Sequence, residues 1–197
     1  MTTTIIGILL AAGAARRFGG GKLMHPLPDG TALGVAAARH LCEALPESLA
    51  VVKPGDAALA RALRNEGLRV VECANAHLGM GASLACGVTA ASNAHGWVVA
   101  LADMPLVKPG TISAVADALR DGAALAAPAY HGKRGHPVGF SARFRDELIT
   151  LSGDQGARSI LQAHRRELRL IDCDDDGIIY DVDRPADLDR FRASGTK

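Results

Sequence analysis

Residues 5–22 read Ile5-Ile-Gly-Ile-Leu-Leu-Ala-Ala-Gly-Ala-Ala-Arg-Arg-Phe-Gly-Gly-Gly-Lys22. The run Ile5–Leu10 is almost continuously apolar, as expected of a strand covered on both faces. Small residues follow it, and Arg16, Arg17 and Lys22 close the segment. Small side chains let backbone N–H groups approach an anion closely, and the three cations add fixed positive charge beside them. This is the pattern of a polyphosphate loop after the first strand of an α/β sheet. The G-x-x-x-x-G-K-[ST] order fails at Leu23, and no G-x-G-x-x-G is present. The plainer alternative is a Gly-rich turn from strand to helix.

Outward from this segment, short β-branched or Leu-rich runs alternate with Ala-rich stretches of helical period, the mark of parallel βαβ construction. Strands are predicted at Leu49–Lys53, Arg69–Cys73, Trp97–Leu101 and Ala123–Ala127. Helices are predicted at Ala32–Leu45 with Thr31 as N-cap, and at Asp56–Asn65, Ser83–Ala91, Pro109–Arg120 and Gly156–Arg166. From Tyr130 to Phe140, Gly and Pro punctuate short extended pieces, which read as a hairpin or lid inserted into the sheet. The acidic run Asp172–Asp176 reads as a solvated turn, Ile178–Val182 as a short closing strand, and Pro185 as the start of a last helix. The expected fold is α/β: one domain over residues 1–197, a Rossmann-like three-layer sandwich with a mostly parallel central sheet and a small inserted hairpin.

Composition narrows the function classes. The chain has 197 residues, 48% of them hydrophobic, enough apolar material for a core without staples. With 22 Lys and Arg against 21 Asp and Glu there is no basic field to hold a nucleic acid through many phosphates. Any anion site is local. Cys42, Cys73, Cys86 and Cys173 form no C-x-x-C, and the seven histidines form no H-x-x-x-H, so zinc spacing is absent. The apolar start resembles a signal segment in length, but its charges follow rather than precede it, and no run approaches a membrane span. A cytoplasmic protein is expected.

Leu101-Ala-Asp-Met-Pro105 places a carboxylate at the end of a predicted central strand, the edge at which ligands of open α/β sheets bind. Asp103 is suited there to Mg²⁺, which takes one or two carboxylates plus substrate phosphates; the alternative is that it caps a turn.

Together these segments resemble the nucleotidyltransferase superfamily with a GT-A-like fold, and most closely its molybdenum cofactor cytidylyltransferase branch. That branch shows L-A-A-G-x-x-x-R-[MF]-G, G-M-x-x-S-L, L-x-D-M-P, R-G-x-P-V and D-x-D-x-P-x-D-L in order. Here they read Leu10–Gly19, Gly79–Leu84, Leu101–Pro105, Arg134–Val138 and Asp181–Leu188. The resemblance implies that Leu10, Ala11, Ala12 and Gly13 meet base and ribose, that Arg17 and Lys22 hold the triphosphate, and that Asp103 ligates Mg²⁺. Gly79, Gly81 and Ser83 would lie along the nucleoside. A second metal ligand is expected from Asp183, with Asp181 as the alternative. On the acceptor side the resemblance suggests Arg134, His136 and Asp154, the last of these also readable as a helix cap.

Two departures stand out. Gly19-Gly-Gly-Lys22 lacks the proline that many relatives carry before the lysine, and Cys73-Ala-Asn75 replaces an Asn-Pro, leaving Asn75 as a substitute nucleotide contact. The activity implied is transfer of CMP from CTP to molybdopterin, with Ala12 favouring CTP over GTP, because related guanylyltransferases have L-A-G-G. The implied partners are the nucleotide, the molybdenum cofactor, and a molybdoenzyme or its insertion chaperone. Rival readings are a GTP-using or other-acceptor transferase of the same fold, and a non-catalytic cofactor carrier.

Overall fold

The computed structural model describes residues 3–13 and 17–193, so Arg16 lies outside the described residues. Eight strands form one sheet: β1 (Ile5–Leu10), β2 (Ser48–Val52), β3 (Arg69–Glu72), β4 (Gly96–Leu101), β5 (Leu125–Tyr130), β6 (Lys133–Arg134), β7 (Val138–Ser141) and β8 (Leu168–Asp172). Their order is β3-β2-β1-β4-β7-β5-β6, with β8 on the far side of β5. β1 to β4 are mutually parallel, β7 runs antiparallel between β4 and β5, and β8 is parallel to β5. The helices are α1 (Leu33–Ala44), α2 (Ala57–Asn65), α3 (Met80–Ala90), α4 (Pro109–Arg120), α5 (Arg145–Ile149), α6 (Arg158–Ala163) and α7 (Asp189–Ala193).

Alternation along the strands divides the core into two layers. Leu9, Ala50, Val52 and Val98 pack with Leu41, Leu63, Ile112 and Val115 of α1, α2 and α4. Ile8, Leu49, Val51, Trp97 and Val99 pack with Leu84, Val88, Leu148 and Ile160 of α3, α5 and α6. Every second residue faces the same side of a strand, so a fully apolar strand serves both layers.

The single-domain α/β fold and the mostly parallel sheet are as expected, and several details differ. Thr31 does not cap α1: its hydroxyl donates to Asp29 in a tight turn, and the N-cap position is Ala32. The hairpin forms between β5 and β6, but the chain then re-enters the sheet as β7, whose Val138 and Phe140 are buried. Ile178–Val182 is not a strand; Asp176–Ile179 is a 3₁₀ turn. The helix expected over Gly156–Arg166 is shorter, ending at Ala163 before a second 3₁₀ turn. α3 begins at Met80, before the expected Ser83.

The acidic run is the largest correction. Asp175 is 2% exposed, and its carboxylate accepts from Lys108 N at 2.9 Å, Thr111 Oγ1 at 2.6 Å and Gly177 N at 3.1 Å. It satisfies orphan donors at the start of α4, where a negative charge also meets the positive end of the helix dipole.

Candidate active site

Strand order locates the site. From β1 the chain builds outward through β2 and β3, then crosses to β4 on the other side of β1, so β1 and β4 leave the sheet as neighbours at the point of reversal. Crevices at such points are where open α/β sheets bind ligands. Leu10 is in register with Leu101, and Ala102 N donates to Leu10 O at 3.1 Å. Ala11–Gly13 and Ala102–Asp103 therefore emerge side by side. In Leu101–Pro105 the residues Ala102, Met104 and Pro105 are buried, leaving Asp103 as the side chain turned toward the crevice.

Three distant segments meet there. Lys22 Nζ lies 2.8 Å from Asp103 Oδ2 and 3.7 Å from Asp183 Oδ1, and Arg17 donates to Asp183 Oδ2 at 2.7 Å. The lysine is mostly buried and Arg17 mostly exposed. Two cations and two carboxylates thus form one chain of ion pairs at the carboxyl edge of the sheet. Val182 N donates to Asp103 O at 2.9 Å, fastening the tail segment to the Asp103 turn.

Asp187 was not singled out from the sequence. Its Oδ2 accepts from Asp183 N at 2.8 Å and Arg184 N at 2.7 Å, which fixes the backbone carrying Asp183. Its signal is the acidic residue at the third position of a turn opened by Pro185. Asp181 lies instead where its charge acts on His136.

Asp103 and Asp183 are hard oxygen donors gathered around one cationic atom, which suits Mg²⁺ or Mn²⁺ completed by substrate oxygens. Among the described residues there is no group of three or more His, Cys, Asp or Glu placed to hold a metal. Water and a nucleotide's phosphates would supply the remaining ligands.

The Gly79–Ser83 motif sits at the start of α3, where Ser83 is buried and its hydroxyl donates weakly to Gly79 O at 3.4 Å. The glycines answer to the chain's own packing. Gly79 has φ +111°, and a Cβ there would come within 2.5 Å of Gly153 O and Asp154 Oδ1; one on Gly81 would lie 2.7 Å from Ser152 O. Asp154 accordingly belongs to the Gly79 side of the site and does not cap α6, whose N-cap position is Ala157 without a side-chain bond. Asn75 is exposed at the turn before Gly79.

On the other flank Arg134 is exposed on β6, while His136 N donates to Ile178 O at 3.0 Å. Among the described residues His136 Nδ1 is buried without a hydrogen-bond partner, beside a cavity of about 10 Å³ that His40, Leu101 and Met104 also line. Burial above all, with the Arg134 charge adding to it, pushes the imidazole down to about 4, and Asp181 opposes this. The folded protein therefore keeps His136 neutral at pH values where the unfolded chain protonates it. The stability this contributes is present above about 6.5 and lost as pH falls toward 4. We expect urea titrations to show His136→Gln losing this part of the acid sensitivity, worth at most about 3 kcal/mol. Identical pH slopes in both proteins would contradict the assignment.

The base and ribose candidates differ in exposure: Ala11 and Ala12 are buried, Leu10 is half-buried and Gly13 is exposed. No helix among the described residues is long and apolar enough to cross a membrane.

The chain is 32% identical to nicotine blue oxidoreductase of Paenarthrobacter nicotinovorans, over 91% of this chain and 92% of that protein. It is 28% identical to purine catabolism protein PucB of Bacillus subtilis (strain 168), over 95% and 96%. The crystal structure of Rv0371c from Mycobacterium tuberculosis H37Rv superposes with a TM-score of 0.83 at 28% identity, covering 96% of this chain and 98% of that one. The same mycobacterial protein has also been crystallised as a complex with manganese, and that structure superposes with a TM-score of 0.80 at 27% identity, over 98% of this chain and 100% of that one. The MobA-like NTP transferase domain matches residues 7–168, from the first strand to the last, and the chain belongs to that family of nucleotidyltransferases.

Proposed function

We propose that the protein transfers CMP from CTP to the terminal phosphate of molybdopterin carrying molybdenum, releasing pyrophosphate and forming the cytosine dinucleotide of the cofactor. The observation that carries this reading is the convergence of Arg17, Lys22, Asp103 and Asp183 at the sheet's reversal point. Five motifs in the order of the cytidylyltransferase branch support the choice of substrate.

An oxygen of the acceptor phosphate attacks the α-phosphorus of CTP in line, a new P–O–P bond forms, and the α–β bridging bond breaks as pyrophosphate takes its electron pair. The acceptor is already an anion, so no general base is required. The task of the chain is alignment and charge neutralisation. Arg17 and Lys22 hold the triphosphate, Asp103 and Asp183 would hold a hard divalent cation, and the backbone after β1 meets base and ribose. When bound, Mg²⁺ would neutralise phosphate charge and orient the α-phosphoryl group. Arg134, His136 and Asp154 flank the acceptor side, from two different edges of the site. A cytoplasmic setting, beside a molybdoenzyme or its insertion chaperone, fits this chemistry.

Pyrophosphate release with each of the four nucleoside triphosphates, Mg²⁺ and the molybdenum cofactor tests the reading. CTP is expected to give the highest kcat/KM. Ala12 puts a Cβ where a purine needs room, and Ala12→Gly should relax the preference by about 1–3 kcal/mol without reversing it. A wild type that prefers GTP would make the protein a guanylyltransferase, and release with none of the four would favour a carrier. One observation favours a second reading, an oxidoreductase: the Paenarthrobacter relative, 32% identical, is called nicotine blue oxidoreductase. The loop after β1 lacks the dinucleotide fingerprint, and oxidation of NADH or NADPH by the same preparation would be the sign of that reading.

A further inference from the structure

Lys22 carries two assignments that compete. Its ammonium is the group expected on the triphosphate, yet it lies 2.8 Å from one carboxylate of the proposed metal pair and 3.7 Å from the other. We propose that Lys22 is a built-in counter-ion that occupies the Asp103–Asp183 pair until a nucleoside triphosphate draws its ammonium away, so that the pair takes a divalent cation strongly only together with nucleotide. The inference rests on the functional reading above and adds an order of events to it.

The geometry lets only the side chain move. Lys22 opens a 3₁₀ turn held by Met24 N to Gly21 O and His25 N to Lys22 O, both 3.0 Å, and Leu33 N to His25 O at 2.9 Å ties that turn to α1. Both carboxylates are also held from behind, Asp103 through its carbonyl to Val182 N and Asp183 through its N–H to Asp187. What remains free is the four-carbon stem of the lysine, a flexible arm with three rotatable donors. A Cβ added at Gly19, Gly20 or Gly21, with φ of 88°, 96° and 62°, would meet none of the described residues within 4 Å, so among these residues the phosphate side has room for an incoming ligand.

Burial decides which cation competes. The Lys22 side chain is 10% exposed and that of Arg17 is 72% exposed, so solvent screens the arginine pair far more. A metal ion arriving alone must displace a desolvated ammonium that hydrogen-bonds a carboxylate. Arriving with a triphosphate, it finds that ammonium already paired to phosphate oxygens.

The test is Mn²⁺ binding to the nucleotide-free protein, read by paramagnetic resonance of the free ion, for wild type, Lys22→Met and Lys22→Arg. Lys22→Met keeps the apolar stem and removes the charge, and it should bind Mn²⁺ about tenfold more tightly, the scale of one charged hydrogen bond. Lys22→Arg keeps the charge and should stay near wild type. Should the methionine variant not fold, as judged by far-ultraviolet circular dichroism, Lys22→Gln carries the same expectation. Equal or weaker Mn²⁺ binding by the neutral variant, or equal tightening by the arginine variant, overturns the proposal. If wild type releases pyrophosphate while the neutral variant fails to tighten, only the counter-ion role falls. If Mn²⁺ binding tightens while wild type transfers no nucleotide, only the transfer reading falls.

Discussion

Asp103→Asn should lower the proposed CMP transfer by about a hundred- to a thousandfold, the scale on which one well-placed electrostatic group contributes at such a site. The substitution keeps the shape of the side chain and removes the charge that faces Lys22 and the incoming cation. Asp183 remains 3.7 Å from the Lys22 ammonium and the Asp103 side chain is itself 25% exposed, so the larger cost should fall on turnover and the smaller on the melting temperature. Steady-state pyrophosphate release at saturating Mg²⁺ measures the effect, with thermal unfolding alongside. Transfer at a near wild-type rate would return Asp103 to the role of a turn residue.

Asp175→Ala should act in the opposite way, destabilising the protein by about 3–5 kcal/mol, because it strands donors and removes a buried charge matched to the start of α4. For a chain of this size that corresponds to a fall in Tm of about 10 °C or more. The neighbouring Asp174→Ala changes an exposed side chain and should shift stability by less than about 0.5 kcal/mol. Urea unfolding of both variants separates a buried cap from a solvated acidic turn. Equal stability of the two would leave the hydrogen bonds of Asp175 without energetic weight.

These two aspartates also show how far the sequence can be read. Asp103 follows a β-branched run that only a buried strand explains, so its place at a strand end is legible locally. Asp175 is not legible, because its partners Thr111 and Lys108 are 64 and 67 residues away and nothing in Asp172–Asp176 announces them. β1 and α4 have the expected bounds because their apolar patterns match one period without interruption. β7 was obscured by the Gly and Pro punctuation around it, which reads as one inserted hairpin or lid and not as a separate strand in which Phe140 is 1% exposed. β8 was hidden by its polarity: Leu168-Arg-Leu-Ile-Asp172 is paired only with β5, none of its residues is fully buried, and it shows no period-two alternation. Motif order pointed to Arg17, Lys22, Asp103 and Asp183, yet their meeting depends on β4 crossing back beside β1, which no local pattern encodes. Lys22 and Asp103 are 81 residues apart, Arg17 and Asp183 166 apart. Gly79 and Gly81 carry a second constraint that the motif alone does not announce: a Cβ on either would collide with the backbone of Ser152–Gly153.

The most direct test of the account is the mass of the product formed when wild-type protein is incubated with CTP, Mg²⁺ and the molybdenum cofactor. The expected product is a pterin species heavier by one cytidylyl unit, CMP less one water, in amount equal to the pyrophosphate released and formed far more slowly when Asp103→Asn replaces wild type. Unaltered pterin, with CTP intact after prolonged incubation, would contradict it.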